Sequence, residues 1–468
     1  MSYQKKCGGC TYLNLSYEEQ LAKKEQFLKK TLKGIVPVKG MVGMENPYHY
    51  RNKVNSAFAR KKDGTIISGI YEKGTHKVVP VDECLLEDQR ADAIIRDIRS
   101  LLKSFKIMIY NEDSGYGLLR HVMVRTGFAS GEIMVVLVCV SPVFPSKNNF
   151  VKALRKLHPE ITTIVLNVND RTDSMVLGKR DIVLFGRGYI EDELCGCTFR
   201  ISPQSFYQVN PVQTKNLYEK AISLAGLTGN ERVMDAYCGI GTIGLIASRD
   251  AREVISVELN PDAVRDAVTN AKRNRIKNVS FYQNDAGAFM VSMAEKGEKA
   301  DVVFMDRQEP AVMNLSVLCR NPFTEKSGLR LLQSGDIGES LRYLTKHGYK
   351  AEEAWGYDMF AWSEHVETVV KLSLKKDTPK IEVTMEPDEE SNYTPEEKAT
   401  YQKIKDYVKD KYDVNVHTSH IAQVKRMCGL DMGENYNKSK KENPEVKKCP
   451  QEKVEYIKDA LRYFGLIG

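Results

Sequence analysis

The sequence lacks the features that mark membrane and secreted proteins. Across its 468 residues, no apolar run reaches the roughly 18 residues that a membrane span needs. Its first residues, MSYQKKCGGC, lack the apolar core of a signal peptide. The 10 cysteines are irregularly spaced, which argues against the disulfide framework of a small secreted domain. We therefore expect a cytoplasmic protein whose thiols are reduced, bind a metal or take part in catalysis.

Extremes of composition are also missing. Hydrophobic residues make up 42% of the chain and charged residues 28%, which excludes a disordered or fibrous protein. The length of 468 residues suggests two to four domains. The net charge of +7 is unevenly placed, because residues 1–80 contain 15 basic and 6 acidic residues. A solvated lysine face would explain this surplus. A surface that binds a polyanion would explain it equally, since clustered cations release counterions from phosphates.

The residue pattern changes several times along the chain. Residues 14–34 have apolar side chains near helical spacing, which predicts an amphipathic helix. From 48 to 205, β-branched runs broken by glycine predict a β-rich central domain. From 206 to 374, the rhythm of strand, turn and helix predicts a doubly wound parallel sheet. A polar linker over 375–394 and a helical extension over 395–468 follow.

A glycine-rich turn is the strongest local signal. In ERVMDAYCGIGTIGL an apolar strand ends at Asp235 and a helix follows the turn. Gly239, Gly241 and Gly244 fit a dinucleotide-binding pattern, because glycines let the backbone approach a ligand. Glu258 ends the next strand, where an acid binds the ribose hydroxyls of NAD or of S-adenosylmethionine. A tight connection between strand and helix would explain the glycines without any ligand.

Residues in and beyond the turn favour the methyl donor. Tyr237 and Cys238 lie inside the loop, which suits a nucleoside that carries methionine better than a pyrophosphate. The third strand ends at Asp285, where an acid can reach the adenine amino group. The fourth strand delivers Asp306 to the same edge of the sheet, where ligands bind. We interpret Cys238 as a packing residue rather than a nucleophile.

Four ordered motifs carry a wider resemblance. They are SPQSFYQVNP (202–211), DAYCGIGTIGL (235–245), VELNPDAV (257–264) and DMFAWSEHVETV (358–369). Over residues 7–374 the sequence resembles the bacterial RNA 5-methyluridine methyltransferases, in particular the iron–sulfur type that methylates uracil in 23S ribosomal RNA. The expected fold class is therefore α/β. A Rossmann-like S-adenosylmethionine methyltransferase domain accompanies a β-rich central RNA-binding domain and a helical C-terminal extension.

The resemblance also implies site residues. The implied contacts with S-adenosylmethionine are Gln208, Tyr237, Thr242, Glu258, Asp285 and Asp306. The central domain is expected to hold RNA, including its segments YRNK (50–53) and LLRHVMVRTG (118–127). We do not expect the amino-terminal β-barrel that some members carry.

The chemistry of the family explains what it requires. Uracil C5 is a poor nucleophile, so a cysteine thiolate first adds to C6 and makes C5 an enolate carbon that attacks the methyl group. A general base then removes the C5 proton, and elimination frees the enzyme. The target base must leave the RNA stack to be reached. By resemblance Glu367, in HVET, is this base, although an acid at the edge of a strand would look the same.

The expected nucleophile is missing. The family follows its fourth strand with D-P-P-R and later carries S-C-N-P, whose cysteine attacks C6. Here the corresponding segments read DRQEPAVM (306–313) and LLQSGDIGESLRYL (331–344), and Leu332 occupies the expected position of the cysteine. Cys319, in CRNP, lies 13 positions too early and is a poor substitute.

A frame-shift would account for both departures. LLQSGDIG can be encoded as CTC CTG CAA TCC GGA GAC ATT GGN, which read one base later gives Ser-Cys-Asn-Pro-Glu-Thr-Leu-Gly. DRQEPAVM likewise yields Asp-Pro-Pro-Arg once a base is restored after the Asp306 codon. We hypothesise that residues 307 to about 338 are out of frame, through a sequencing error or a real mutation. Because this peptide lacks a clean run of β-branched residues, we expect local misfit in an otherwise intact sheet.

Three cysteines match the cluster-binding positions of the iron–sulfur type. Cys7 and Cys10 form C-x-x-C, and Cys84 lies in VVPVDECLLEDQ, so residues 1–47 and 80–90 form an iron–sulfur-like region. In the family, a C-x5-C-x2-C run and one distant cysteine hold a [4Fe–4S] cluster. The first position of that run coincides here with Met1, so we expect this ligand to be missing or to lie upstream of this start. An idle glycine turn or half of a zinc site would also fit CGGC.

These observations leave three functions open. The first is methylation of uracil C5 in 23S ribosomal RNA, with RNA as the partner, no membrane association and a monomeric protein. The second is a catalytically inactive RNA-binding paralogue that keeps the donor pocket. The third is a methyltransferase for transfer RNA or for a small molecule, the latter disfavoured by the basic front end.

Overall fold

The computed structural model describes residues 7–112, 114–173, 175–307, 328–333, 337–375, 401–414, 416, 418–428 and 449–464. The chain divides into two compact units, Met1–Thr378 and Pro379–Gly468. Among the described helices, none combines the length and the apolar character needed to cross a bilayer. The first unit carries all the motifs of the candidate site.

Strands of the first unit form two large sheets and one hairpin. In chain order they are β1 (Val38–Val42), β2 (Lys53–Arg60), β3 (Ile66–Tyr71), β4 (Val78–Pro80), β5 (Leu119–Thr126), β6 (Ile133–Cys139), β7 (Ile161–Val168), β8 (Arg180–Phe185), β9 (Ile190–Leu194), β10 (Cys197–Ile201), β11 (Arg232–Asp235), β12 (Glu253–Glu258), β13 (Val279–Gln283), β14 (Val302–Arg307), β15 (Gly328–Gln333), β16 (Tyr349–Tyr357) and β17 (Glu367–Leu374). The hairpin consists of β9 and β10.

Helices pack against these sheets, and several begin at side-chain caps. In chain order they are α1 (Tyr17–Thr31), α2 (Gln89–Ser104), α3 (Lys147–Leu157), α4 (Pro211–Ala225), α5 (Thr242–Ala247), α6 (Pro261–Arg273), α7 (Ala286–Glu295) and α8 (Ile337–Lys346). Ser16 and Glu19 form a capping box at the start of α1. Asn210 caps α4, because its side chain accepts a hydrogen bond of 3.2 Å from the Gln213 N–H.

The larger sheet has the order β1-β16-β17-β15-β14-β11-β12-β13. Its neighbours pair in parallel except for β17, which is antiparallel to both β15 and β16. The apolar residues of the central strands are buried, since Val233, Val254 and Phe304 are at most 1% exposed. Parallel strands covered on both faces have this composition. The predicted doubly wound α/β architecture is confirmed.

The second large sheet is the β-rich central domain. Its order is β4-β3-β2-β5-β6-β7-β8, with β6 and β7 parallel across the connection that contains α3. Helices α2 and α3 cover one face. On the other face, Met123 and Met134 belong to the same buried cluster as Val233 and Phe304 of the larger sheet. The long apolar runs of β5 and β6 are therefore explained by burial on both faces.

The N-terminal segment is part of the larger sheet. Strand β1 lies at its edge, parallel to β16, with Val38 opposite Ala354. Leu28 and Leu32 of α1 are fully buried in the adjoining core. Residues 17–42 thus pack with the doubly wound sheet, although the sequence groups them with the cysteine-containing region 1–47.

A regular strand occupies the segment in which the sequence predicts misfit. The backbone of β15 pairs in parallel with β14 and antiparallel with β17, in continuous register from Gly328 to Gln333. The expectation that this peptide would not supply a clean strand is therefore wrong. Two neighbouring strands offer hydrogen bonds on both sides, and this tertiary context outweighs the low β propensity of the residues. Residues 308–327, including Cys319, lie outside the described part of the chain.

The second unit is helical, as predicted for residues 395–468. Its helices are α9 (Tyr401–Tyr412), α10 (Thr418–Met427) and α11 (Gln451–Tyr463). They enclose an apolar core that includes the fully buried residues Ile404, Ile421 and Ile457. The predicted linker lies outside the described residues from position 376 onward.

Candidate functional site

The glycine-rich turn between β11 and α5 leaves space for a ligand. Gly239 and Gly241 have φ of 54° and 86°, the left-handed region in which a side chain is strained. A Cβ atom at Gly239 would meet no atom within 4 Å, whereas one at Gly244 would lie 2.8 Å from the Asp235 carboxylate. Gly244 is thus needed for close packing of helix and strand. Gly239 instead leaves its backbone open on the side where a ligand approaches.

Glu258 holds the turn from the end of β12. One carboxylate oxygen accepts a hydrogen bond of 3.0 Å from the Gly239 N–H, and the other accepts one of 2.8 Å from the Asn260 N–H. Each oxygen keeps a free lone pair, because a carboxylate has about four acceptor positions. Glu258, which is predicted to bind the ribose hydroxyls, can therefore hold the loop and still accept hydrogen bonds from two hydroxyls.

Asp285 and Asp306 lie at the carboxyl-terminal edge of the same sheet, although β11 and β12 separate their strands, β13 and β14. Asp285 caps α7, with one oxygen 2.9 Å from the Ala288 N–H, and its side chain is exposed. Beside it, the half-exposed ring of Tyr282 packs against Phe289 with ring centroids 4.8 Å apart. Asp306 lies in β14, and its side chain lies outside the described part of the structure. The backbone accordingly places both acids at the carboxyl ends of strands.

The remaining predicted donor contacts lie on segments tied to this edge. Tyr237 lies in the turn, Thr242 is the first residue of α5, and both are half-buried. The Thr242 hydroxyl lies 3.4 Å from the Tyr218 hydroxyl. Gln208 is half-buried, and its carbonyl accepts a hydrogen bond of 3.1 Å from the Asn52 side chain. Asn52 thereby joins the YRNK segment to SPQSFYQVNP. Two motifs that are distant in sequence meet at one place.

Glu367 faces a cavity of about 880 Å³ that gathers several motifs. Its walls include Cys7, Arg51, Lys73, Glu364, His365 and Glu367. Glu367 is the first residue of β17, opposite Gln333 on one side and Tyr357 on the other. Leu332, the position expected for the nucleophile, lies opposite Thr368 and is therefore one register step from Glu367. The cavity thus brings together the predicted base, the YRNK segment and the CGGC turn.

Two cations face each other beside this cavity. Lys53 of β2 lies directly opposite Arg125 of β5, and Arg125 is buried with its guanidinium donating to the Ser205 carbonyl. Burial lowers the pKa of Lys53 to about 8, helped by Arg125 and Arg51. Burial alone lowers the pKa of Arg125 to about 10. Like charges opposite each other in a sheet are unfavourable by themselves, so this arrangement favours an anionic ligand.

The three predicted cluster ligands converge on another cavity. Cys7, Cys10 and Cys84 all line a space of about 460 Å³. Burial, and secondarily Cys7, raises the pKa of Cys10 to about 11. Burial, and secondarily Glu87, raises the pKa of Cys84 to about 12. Within the described residues, however, no three His, Cys, Asp or Glu side chains are arranged to hold a metal ion. The cysteines share a cavity but do not form a finished ligand set.

Cys238 is unsuited to nucleophilic chemistry. Its side chain is 3% exposed, and burial raises the pKa of its thiol well above the ordinary value. A thiol in this state stays protonated at neutral pH and unreactive. This agrees with the interpretation of Cys238 as a packing residue.

A buried ion pair fixes the segment that leads to Glu367. Lys24 of α1 lies 2.5 Å from Asp358, and the Tyr17 hydroxyl donates to the same carboxylate at 2.7 Å. Lys24 also donates to the Phe360 carbonyl at 3.0 Å. Four residues beyond Asp358, Trp362 adopts φ of 68°, a strained conformation for a bulky residue. Sequence reasoning missed this pair, because Lys24 looks like one more solvated lysine of an amphipathic helix.

Comparison with known proteins adds a family description. A family model for tRNA (Uracil-5-)-methyltransferase matches residues 16–306. An RNA methyltransferase of Halalkalibacterium halodurans is 36% identical over 388 residues, which cover 79% of this chain and 82% of that protein. An RNA methyltransferase of Clostridium tetani is 37% identical over 380 residues, covering 80% of this chain and 82% of that protein.

A solved structure shares the fold. The tRNA (uracil-54, C5)-methyltransferase of Pyrococcus abyssi, in complex with S-adenosyl-L-homocysteine, superposes with a TM-score of 0.62. The match covers 78% of this chain and 86% of that chain, with 24% sequence identity.

Proposed function

The chain belongs to the tRNA (uracil-5-)-methyltransferase family, and on that premise we propose that its target is uracil C5 in 23S ribosomal RNA. The observation that carries the proposal is the cavity shared by Glu367, Arg51 and the CGGC turn. The choice of ribosomal RNA rests on Cys7, Cys10 and Cys84, since the sequence resembles the iron–sulfur type of the family.

The donor fits the open side of the glycine-rich turn. S-adenosylmethionine supplies an electrophilic methyl group when bound. In our proposal Glu258 accepts from the ribose hydroxyls and Asp285 from the adenine amino group, because both carboxylates lie at the ends of their strands with acceptor capacity left. The other proposed contacts are Gln208, Tyr237, Thr242 and Asp306. The unobstructed backbone at Gly239 supports this fit.

RNA enters this site as a flipped nucleotide. We propose that Arg51 and Lys53 receive its phosphates, while the buried Arg125 directly opposite Lys53 adds to the positive potential there. Glu367 then removes the C5 proton after methyl transfer. The position of Glu367 at the start of β17, between two paired strands, gives its backbone little freedom to move.

The chain as written has no nucleophile at the expected position. Addition to C6 needs a thiolate, and Leu332 has none. We propose that the intact gene encodes cysteine at this position and that the out-of-frame stretch 307 to about 338 has replaced it. An inactive RNA-binding paralogue is the second candidate function, and Leu332 is the observation that favours it.

A [4Fe–4S] cluster is proposed at the cysteine cavity. Cys7, Cys10 and Cys84 would supply three thiolates, and their common cavity supports this assignment. These are three of the four ligands in the family pattern, whose first position coincides with Met1. No step of the methyl transfer is assigned to the cluster.

A methyl-transfer assay tests the proposal. Tritiated S-adenosylmethionine is incubated with unmodified ribosomal or transfer RNA and either the chain as written or a frame-restored version. We expect no transfer by the written chain and transfer to ribosomal RNA by the restored one. Glu367→Gln in the restored chain should leave RNA covalently attached, because the C5 proton stays in place and elimination is blocked. Glu364→Gln, in the same cavity, is the matched control and should turn over.

The outcomes separate the candidates. Efficient methylation by the written chain would refute the assigned position of the nucleophile. Transfer to transfer RNA alone would refute the ribosomal target. If the restored chain binds donor and RNA without transferring a methyl group, the paralogue is the correct function.

A further inference from the structure

A basic cavity lies in the central domain, at the opposite end of β2 from Lys53. It measures about 770 Å³, and its charged lining residues are Arg60, Arg99, Lys103, Lys106 and Asp63. The sequence adds Lys61 and Lys62 directly after Arg60, and both are exposed. Four cations therefore line the opening, and Lys61 and Lys62 lie next to one of them in the chain.

Most of this charge is available to a ligand. Arg99 pairs with Asp82 at 2.6 Å and donates to the Ser68 hydroxyl at 3.1 Å, so it is committed to the fold. Lys103 and Lys106, by contrast, have no ion-pair partner among the described residues. Asp63 accepts from the Thr65 N–H at 2.9 Å and is used to close its own turn.

The helix end does not account for the cluster. Lysine in the last turn of a helix is favoured by the helix dipole, which would explain Lys103 of α2. It does not explain Arg60, the last residue of β2, or Lys61 and Lys62, which follow before β3. These cations repel one another, and an anion that spans the opening relieves the repulsion, a property that a polyphosphate backbone has.

We propose that this cavity, the basic cavity, binds phosphates of the RNA that flanks the target uridine. The inference rests on the proposed function and extends it to a second RNA contact. Strand β2 has eight residues from Lys53 to Arg60. At about 3.3 Å per residue, its ends lie roughly 23 Å apart, the length of about seven stacked nucleotides. A short strand that fills only the base pocket does not reach the basic cavity, whereas a stem-loop does.

Binding measurements test this without any need for catalysis. Fluorescence anisotropy at several salt concentrations compares a long unmodified stem-loop of ribosomal RNA with a short single strand that contains one uridine. Lys103→Glu/Lys106→Glu is compared with Lys152→Glu/Lys156→Glu, two exposed lysines on α3 of the same domain. We expect the first variant to bind the stem-loop at least about tenfold more weakly and to lower the salt slope by about two. Its affinity for the short strand should match that of the wild type.

The alternatives give different results. Equal weakening by both variants would show a general charge effect and overturn the basic cavity as a site. If calorimetry detects inorganic phosphate at the cavity while stem-loop affinity is unchanged in Lys103→Glu/Lys106→Glu, the cavity is a small-anion site and the proposal fails. A wild-type chain that binds neither RNA would overturn the proposed function itself. Thermal unfolding of each variant checks that the fold is retained.

Discussion

Lys24 and Asp358 form an ion pair of 2.5 Å in which both side chains are fully buried. The pair joins the N-terminal helix to the segment that leads to Glu367, across more than 300 positions of the chain. The Tyr17 hydroxyl completes the cluster. The segment that leads to Glu367, the proposed general base, is thus anchored by a lysine that the helix pattern does not distinguish from a solvated one.

Removing Lys24 should strongly destabilise the protein. Lys24→Ala leaves the Asp358 carboxylate buried without its cation, which costs about 3–5 kcal/mol in the free energy of unfolding. Lys29→Ala is the control, because Lys29 pairs with Glu25 on the exposed side of the same helix and should cost less than about 1 kcal/mol. Urea unfolding of the full chain measures both. Similar losses in the two variants would show that the buried pair contributes nothing special.

Glu258 should be essential for donor binding. Glu258→Ala removes the acceptor for the ribose hydroxyls and the partner of the Gly239 N–H, so affinity for S-adenosylhomocysteine should fall at least about tenfold. Glu253→Ala, at the other end of the same strand, should bind as the wild type does. Calorimetric titration with the chain as written is sufficient, since donor binding needs no nucleophile. Unchanged affinity in Glu258→Ala would remove Glu258 from the proposed site.

The cysteine cavity should bind iron under anaerobic conditions. Purified without oxygen, the chain is expected to show visible absorption and bound iron, and Cys84→Ser should lower both. Cys195→Ser, at the turn of the β9–β10 hairpin, is the control and should keep them. A colourless, iron-free protein would refute the cluster and leave CGGC as a structural turn.

Acid should destabilise the central domain through His121. Burial, followed by the nearby Arg120, lowers the pKa of His121 from 6.5 to about 4. The unfolded chain therefore takes up a proton near pH 6.5 that the native protein refuses until about pH 4. The free energy of unfolding should fall over this window by up to about 3 kcal/mol.

Paired variants identify the group responsible. His121→Gln should flatten the decline between pH 7 and pH 5, whereas His347→Gln, at an exposed position, should keep it. Denaturant unfolding at each pH gives the comparison. A decline of equal size in His121→Gln would assign the acid sensitivity to other groups.

The proposed donor site could be derived from sequence because its requirements are local. Gly239 and Gly244 serve the turn in which they lie, and Glu258 ends the very next strand, so their spacing marks them as candidates. The opposition of Lys53 and Arg125 depends on the register between two strands separated by a helix and a long connection. That register is a property of the folded sheet, and no local pattern contains it.

Strand β15 shows the converse limit. Its leucines and glycine predict poor strand formation, yet β14 and β17 impose an extended backbone from both sides. Propensity is a weak guide where two pairing edges are already present. The chemical consequence of Leu332 is unaffected by this, because an intact backbone does not supply a thiol.

The order in which the two sheets close has a consequence for synthesis. The central domain completes its sheet with β8, which ends at Phe185, and its main core uses residues of that segment. The larger sheet pairs Val38 with Ala354 and closes only with β17. Nascent domains fold as units while the chain emerges, so the central domain can become native first. By contrast, α1 and β1 can pack only after the last strands of the larger sheet have been synthesised. An interruption of translation between these points would leave the central sheet complete while the apolar N-terminal segment has no strand to pair with.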